Sequence, residues 1–283
     1  MFVSKRLNQL YDRQDAPWVH FELGVRAWEN GELYGVRRHR VALGMLPEAG
    51  PSSFEYRGLR WRELWLEGDV DAALREARAV AQEHPADPDA ALDVADLLRE
   101  RGDARGALEV LLQAVERSPE DVELLYELGV TAEESEEWEL RREVWGRVWD
   151  AEHDQEPAHR LWLSEAEFLR AAEEGLARLP PGAREALGNV TILVEDYPER
   201  WVLDEGPGDP RLMGLFVGPE RSVQQSVDSV VHGPAQIFLF RWNIERAASS
   251  AEEAVAECEI TVLHEVGHYL GLDEEALDYL GLG

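Results

Sequence analysis

The chain has 283 residues, 45% of them hydrophobic, and its formal net charge is −30 at pH 7. This length and apolar content predict one large domain or two ordinary domains with real cores. The acidic excess is spread over both halves of the sequence, and a surface this acidic repels phosphate backbones, so we expect no direct nucleic-acid partner.

The cysteine and the hydropathy pattern indicate the compartment. The sequence has one cysteine, Cys258, so an internal disulfide is excluded, and its place on the apolar side of a predicted helix favours a buried thiol. The first residues have no apolar core of signal-peptide length, and no later stretch would span a bilayer. We therefore expect a cytoplasmic protein with no membrane partner.

The first half of the sequence repeats itself at an interval of 34 residues. A repeat of this length, with small residues where two helices touch and proline after the second helix, resembles the tetratricopeptide repeat family. The resemblance covers roughly residues 17–155 and implies about four helix pairs stacked as an α-solenoid. The positions that recur at this interval are Gly68 and Gly102, Ala73 and Ala107, and Pro85 and Pro119.

Residues 88–121 match the repeat pattern best. Two positions elsewhere depart from it: Arg60-Trp61 stands where Leu-Gly is expected, and Arg141 replaces a small residue. We expect the tryptophans of this half to fill gaps between helices, and the alternative is a groove that grips a peptide. The matching small residues and the helix stop are Ala95, Ala107, Ala114 and Pro119.

A polar stretch from Asp150 to Pro157 ends the repeats, and we place the domain boundary near residues 155–163. The predicted domains are a helical repeat domain at 1–158 and a second domain at 159–283. The second domain begins with a helix that Ser164 caps and that Pro180-Pro181 ends, followed by a short helix.

Three apolar runs of the second domain read as strands, and residues 197–211 read as loop. The first run is β-branched and of a length typical of a buried strand. Two helices then close the chain, one from near Asn243 and one after Ser249-Ser250. The three runs are residues 190–194, 212–218 and 236–240.

The last of these helices carries His264-Glu265-Val266-Gly267-His268. Histidines four residues apart lie on one face of a helix, one turn above the other, so both imidazoles can reach one metal ion. Glu265 is placed to contact an attacking water rather than the metal, and it would take a proton from that water.

A downstream carboxylate would complete such a site. Gly271 can end the helix in a left-handed conformation and turn the chain back. That turn would deliver either Glu274 or Asp273 as a third ligand, and the residues alone do not decide between them.

The second domain resembles the minimal zincin-like metallopeptidase family of bacteria, over most of residues 164–283. The family implies a compact zincin core, a sheet of three or more strands beside the active-site helix, and a single Zn²⁺. It also implies an acidic third ligand ten positions after the first histidine, which is Glu274, with Asp273 as the alternative. The matching stretches are residues 187–196, 212–216, 237–246 and 261–274.

We therefore predict a mostly helical α+β protein in which an α-solenoid precedes a small zincin-like α/β domain. Its predicted function is zinc-dependent peptide hydrolysis with Glu265 as general base, while the repeats recruit a protein substrate or partner. The strand at 236–240, as a sheet edge, would pair with an extended substrate. His232 and Tyr279 are weaker candidates for stabilising the oxyanion.

Two other functions fit the same residues. One is a protein-binding scaffold whose zinc is structural or vestigial. The other is a hydrolase of some other amide or small peptide, with the repeats serving only for assembly. A Glu beside the first histidine favours the enzymatic functions, because a structural zinc site has no use for a base.

Overall fold

The computed structural model describes residues 16–153, 155, 157, 161–187, 190–205, 208–218 and 236–279, without the side chains of Ala186, Glu274 and Asp278. The chain divides into two compact units, residues 1–144 and 145–283. The fold is mostly helical with one small sheet, so the predicted α+β class is confirmed.

The N-terminal unit is built from paired helices, and consecutive helices from α1 to α7 pack against one another. The eight helices follow one another in the order of the four predicted pairs, and small residues such as Ala95 and Ala107 are buried. The helices are α1 (Pro17–Glu29), α2 (Leu33–Met45), α3 (Phe54–Leu66), α4 (Val70–Glu83), α5 (Pro88–Glu100), α6 (Ala104–Arg117), α7 (Val122–Glu134) and α8 (Trp138–Glu152).

Aspartate side chains start four of these helices. Asp69 and Asp103 cap α4 and α6, while Asp87 and Asp121 cap α5 and α7, each accepting a hydrogen bond from a backbone N–H of the first turn. Asp69 and Asp103 are 34 residues apart, and so are Asp87 and Asp121. The repeat period of the sequence is thus also the period of the helix starts.

The turn within each helix pair needs a left-handed residue. Gly31, Gly68 and Gly102 hold this position in the first three pairs, with φ of 69°, 82° and 79°. In the fourth pair the residue is Glu136, at φ 60°. A side chain with a Cβ is strained in this conformation, whereas glycine adopts it freely.

We expect Glu136→Gly to stabilise the protein by about 0.5–1 kcal/mol, because it removes that strain. The shift is measured as a higher urea midpoint of the N-terminal unit. Glu139→Gly, at an exposed position in the first turn of α8, is the matched control and should lower the midpoint. A lower midpoint for Glu136→Gly would show that the turn is not strained.

The C-terminal unit contains a three-stranded sheet in the order β1-β3-β2. β1 pairs with β3 in parallel, and β2 pairs with β3 antiparallel. The elements are α9 (Glu165–Ala177), α10 (Pro181–Leu187), β1 (Thr191–Glu195), α11 (Arg200–Asp204), β2 (Gly214–Val217), β3 (Gln236–Phe240), α12 (Arg241–Ala247), α13 (Ala251–Leu270) and α14 (Glu274–Tyr279).

Several predicted elements of this unit are confirmed. The start of α9 is a capping box, in which the Ser164 side chain accepts from the Glu167 backbone and the Glu167 side chain accepts from the Ser164 backbone. The three strands lie at the predicted apolar runs, with β2 shorter than predicted. Helix α13 begins after Ser250, whose side chain accepts a hydrogen bond from the Glu253 backbone.

Other predictions about this unit were wrong. The 236–240 strand, β3, is the central strand of the described sheet rather than an edge, because it pairs with β1 on one side and β2 on the other. β1 is half-buried, since it has one described neighbour. Helix α11 lies inside the predicted loop 197–211, and α14 is an additional helix.

Each face of the sheet carries its own apolar layer. Buried Ile237 and Leu239 of β3 pack with residues of α9 and α13, among them Phe168 and Val262. Phe240 packs on the opposite face with Val202 of α11. Helix α13 is therefore held beside the sheet along its apolar side.

The end of helix α8 belongs to the C-terminal unit. The Trp149 ring joins the cluster of Phe240, and its Nε1 donates to the Pro198 carbonyl at 2.8 Å. The Glu152 carboxylate accepts from the Tyr197 hydroxyl at 2.9 Å. The compact units thus divide inside α8, whereas the boundary after residue 158 stays a prediction of the sequence.

None of the described helices is long and apolar enough to cross a membrane.

Candidate metal centre

Helix α13 has a buried apolar face and a half-buried face that carries the two motif histidines. Cys258, Val262, Val266 and Tyr269 are buried and turn toward the sheet and α9, while Val255 of the same predicted stripe is half-buried. The Cys258 thiol lies 3.7 Å from the Phe168 carbonyl, and burial raises the pKa of the thiol to about 12. The prediction of a buried thiol is confirmed, and such a cysteine is a poor nucleophile at neutral pH.

The two histidines of the motif meet on a different face of α13. Their Nε2 atoms are 2.9 Å apart and their ring centroids 4.6 Å apart, and both side chains are half-buried. Two imidazole nitrogens this close together on one helix face can both reach a single ion. His264 and His268 therefore fit a shared metal ion.

Glu265 lies deeper than either histidine, with 6% of its surface exposed. Its side chain fits against Gly214, the first residue of β2. A Cβ added to Gly214 would come within 2.7 Å of Glu265 Oε1, 2.8 Å of Glu265 Cγ and 2.8 Å of Thr261 Cγ2. No ordinary side chain could stand at residue 214 without displacing this carboxylate.

Gly214 is a residue of the site that the sequence analysis missed. A glycine inside a strand indicates close approach of another group to the backbone, and that signal was present in the run 212–218. What the sequence could not supply was the identity of the group, because β2 and α13 are far apart along the chain and come into contact only in the folded domain.

Gly267 of α13 and Gly271 just after it bring the end of the chain back toward the motif. Gly271 has φ 86° and ψ 24°, and its backbone N–H bonds to carbonyls of the last helical turn, so the predicted left-handed helix end is confirmed. At Gly267 an added Cβ would lie 2.3 Å from Leu277 Cδ2. The absence of a side chain at Gly267 lets buried Leu277 hold α14 against α13.

The two candidates for the third ligand both lie at the start of α14. Asp273 precedes the helix and its Oδ1 accepts a hydrogen bond from the Ala276 N–H at 3.0 Å, which is the role of an N-cap. Glu274 is the first residue of α14, and its side chain lies outside the described residues. The capping role of Asp273 favours Glu274 as the carboxylate available for a metal.

No group of three or more His, Cys, Asp or Glu side chains is arranged to hold a metal among those that the structure describes, a set that lacks Glu274. Of the two oxyanion candidates, only Tyr279 is among the described residues. His232 lies outside the described residues, and the Tyr279 side chain is 91% exposed at the end of α14.

Comparison with known proteins confirms the two resemblances. Residues 187–282 match the family model of zincin-like metallopeptidases, and residues 64–128 match that of the tetratricopeptide repeat. The C-terminal half thus carries a zincin-like domain and the N-terminal half carries the repeats. No curated protein matches the sequence.

Several solved structures are similar to part of this chain. The MamA RS-1 ArsTM double mutant has 18% identity and a TM-score of 0.39 over 52% of this chain and 81% of its own. MamA 41-end from Desulfovibrio magneticus RS-1 has 18% identity and a TM-score of 0.39 over 52% of this chain and 82% of its own. A crystal structure of MamA has 12% identity and a TM-score of 0.38 over 52% of this chain and 84% of its own. TM-scores this low do not indicate a function for this chain.

Proposed function

We propose that this chain is a zinc-dependent metallopeptidase whose repeat array recruits a protein substrate or partner. The observation that carries the proposal is the meeting of two imidazole nitrogens, 2.9 Å apart, beside a buried glutamate on a helix of a zincin-like domain. Cytoplasmic location stays a prediction of the sequence.

His264, His268 and Glu274 would hold the ion. Two nitrogens and one carboxylate form a ligand set found in catalytic zinc sites, which keep one position open. When bound there, Zn²⁺ polarises the scissile carbonyl and makes water a stronger acid.

Glu265 would move the proton. A carboxylate oxygen of Glu265 takes a proton from the attacking water and later delivers it to the nitrogen of the leaving amine. The close fit of Glu265 against Gly214 limits the positions that the carboxylate can adopt. Such restraint keeps the base in place during both proton transfers.

An extended substrate would pair with β2. Because β3 is central, β1 and β2 are the outer strands of the described sheet, and of these two β2 contacts α13 through Gly214. A peptide added to the outer edge of β2 would lie along the sheet beside the motif helix. This assignment replaces β3 as the substrate-binding strand.

The proposal is tested by incubating the zinc-loaded protein with a peptide library made from a proteome digest. Mass spectrometry should find new peptide termini with the zinc-loaded protein and none after the metal is removed with a chelator. If zinc-loaded protein of one-to-one stoichiometry generates no new termini, the peptidase assignment fails and the scaffold function is favoured.

We also expect Gly214→Ala to lower kcat/KM on a cleaved peptide by about 10–100-fold, because the added methyl group displaces the Glu265 carboxylate. Zinc content should stay at one ion per chain. Gly182→Ala in α10 is the matched control, since a Cβ there meets nothing within 4 Å, and it should leave the rate unchanged. Equal rates for the two variants would show that Gly214 does not position the base.

A further inference from the structure

The repeat array contains a pocket of about 400 Å³ between the first helices of its pairs. We call it the acidic pocket. Two of its walls are the indole rings of Trp28 on α1 and Trp61 on α3, which meet edge to face with centroids 5.5 Å apart. The charged residues that line it are Asp96, Arg99, Glu100 and Glu134.

The acidic pocket lies at the end of a carboxylate stripe on helix α5. Asp89, Asp93, Asp96 and Glu100 follow one another at intervals of four, three and four residues, so they share one face of the helix. Desolvation raises the pKa of all four carboxyls, and that of Asp93 reaches about 6. The described ion pairs of this stripe are those of Asp93 with Arg62 and of Asp96 with Arg99, so four carboxylates share two paired cations within the described part of the chain.

The chain's own Arg62 shows how a guanidinium fits beside this stripe. Arg62 is 7% exposed, its Nη2 lies 2.9 Å from Asp93 Oδ1, and its Cζ lies 4.1 Å from the centre of the Trp61 ring. Its Cζ also lies 5.2 Å from the centre of the Trp28 ring. A guanidinium is thus held here by a carboxylate and aromatic rings together.

One turn further along α5, a single arginine is shared among several carboxylates. Arg99 bonds to Glu127 and Glu134 at 2.9 and 2.7 Å and lies 3.7 Å from Asp96. Glu100 is repelled by Asp96 and is paired with no cation within the described part of the chain. Both Asp96 and Glu100 are exposed, so a charge from outside can reach them.

We propose that the acidic pocket binds an arginine side chain of a positively charged polypeptide segment, with its guanidinium between Trp28 and the carboxylates of Asp96 and Glu100. The proposal rests on the recruiting role given above to the repeat array and names its partner as a basic segment. Charge complementarity decides the occupant, because an acidic segment would be repelled by the stripe.

Binding is measured by fluorescence anisotropy with fluorescein-labelled Gly-Ser peptides that carry three arginines or, as the comparison, three glutamines. The protein is the full chain with Glu265→Gln, so that the probe is not cleaved. We expect the arginine peptide to bind and the glutamine peptide not to bind at physiological salt. A lysine peptide should bind more weakly, since lysine lacks the planar guanidinium.

The double variant Asp96→Asn, Glu100→Gln should weaken binding of the arginine peptide by about tenfold, because two charge contacts are removed. The matched control is Glu109→Gln, Glu116→Gln, which changes the net charge equally at exposed positions of α6. It should change the affinity by less than about twofold. Should the double variant unfold, Glu100→Gln alone at its exposed site should still weaken binding, by about threefold.

An equal loss of affinity in the α6 control, or equal binding of the glutamine peptide, would overturn the proposal, since either shows attraction that is not specific to the pocket. The anisotropy does not depend on hydrolysis. Failure here therefore leaves the peptidase assignment intact, and failure of the peptidase assignment leaves the binding result intact.

Discussion

Glu265→Gln should lower the rate of peptide hydrolysis by about 10²–10⁴-fold, the range that general acid–base catalysis contributes. Glutamine has nearly the shape of glutamate, so it keeps the fit against Gly214. Its amide cannot accept the proton of the attacking water. The measurements are kcat/KM on a peptide identified from the library and zinc per chain by elemental analysis, and the zinc content should not change.

The control for this variant is Glu257→Gln, which changes a half-buried glutamate two turns earlier on the same helix. It removes the same charge from α13 without touching the motif, and its rate should stay within about twofold of the unaltered protein. If Glu265→Gln binds zinc and hydrolyses at the unaltered rate, Glu265 is not the base, and a scaffold with a structural zinc gains support.

The second large effect is expected from removing the proposed ligands. His264→Ala and His268→Ala should each weaken zinc binding by more than about a hundredfold. Residues that only hydrogen-bond to a metal ligand cost at most about that much when they are replaced, and a lost ligand should cost more. Hydrolysis should fall with the zinc content. The measurement is a competition titration with a chromophoric zinc chelator at neutral pH.

The same titration separates the two candidates for the third ligand. Glu274→Ala should lose zinc as the histidine variants do. Asp273→Ala should keep zinc while losing about 1 kcal/mol of stability, because it removes the cap of α14. The reverse result, with zinc lost only from Asp273→Ala, would assign the third ligand to Asp273 and leave the rest of the site unchanged.

Much of the fold could be predicted because its signals are local. The aspartate caps, the left-handed glycines and the small residues of the repeats recur at a fixed interval, and each acts on its own helix turn. The capping box at Ser164 and the helix end at Gly271 are likewise determined by neighbours in sequence. Such local signals mark helix boundaries in both halves.

The parts that could not be predicted depend on contacts between distant segments. The central place of β3 follows from pairing with β1 and β2, which the apolar run 236–240 does not encode. Helix α11 is hidden in a stretch rich in Pro and Gly, and it forms where Val202 and Leu203 pack against Phe240. Such tertiary packing routinely overrides local propensity.

The candidate site also has a part that could be predicted from local sequence and a part that could not. The histidine pair and the glutamate beside it could be read from a five-residue motif, because helix geometry places them. The fit of Glu265 against Gly214 and of Leu277 against Gly267 could not, because each joins two elements across the fold. Gly214 leaves the space that the Glu265 carboxylate occupies, and Gly267 leaves the space in which Leu277 packs α14 against α13.

One zinc ion held by His264, His268 and Glu274 is the claim on which the proposed function depends. It is tested most directly by anomalous diffraction at the zinc edge from crystals of the zinc-loaded Glu265→Gln protein. We expect a single anomalous peak within bonding distance of both Nε2 atoms and of the Glu274 carboxylate, with the substituted side chain at position 265 near the ion but not bound to it. A peak elsewhere in the chain, or none beside the two histidines, would contradict the account.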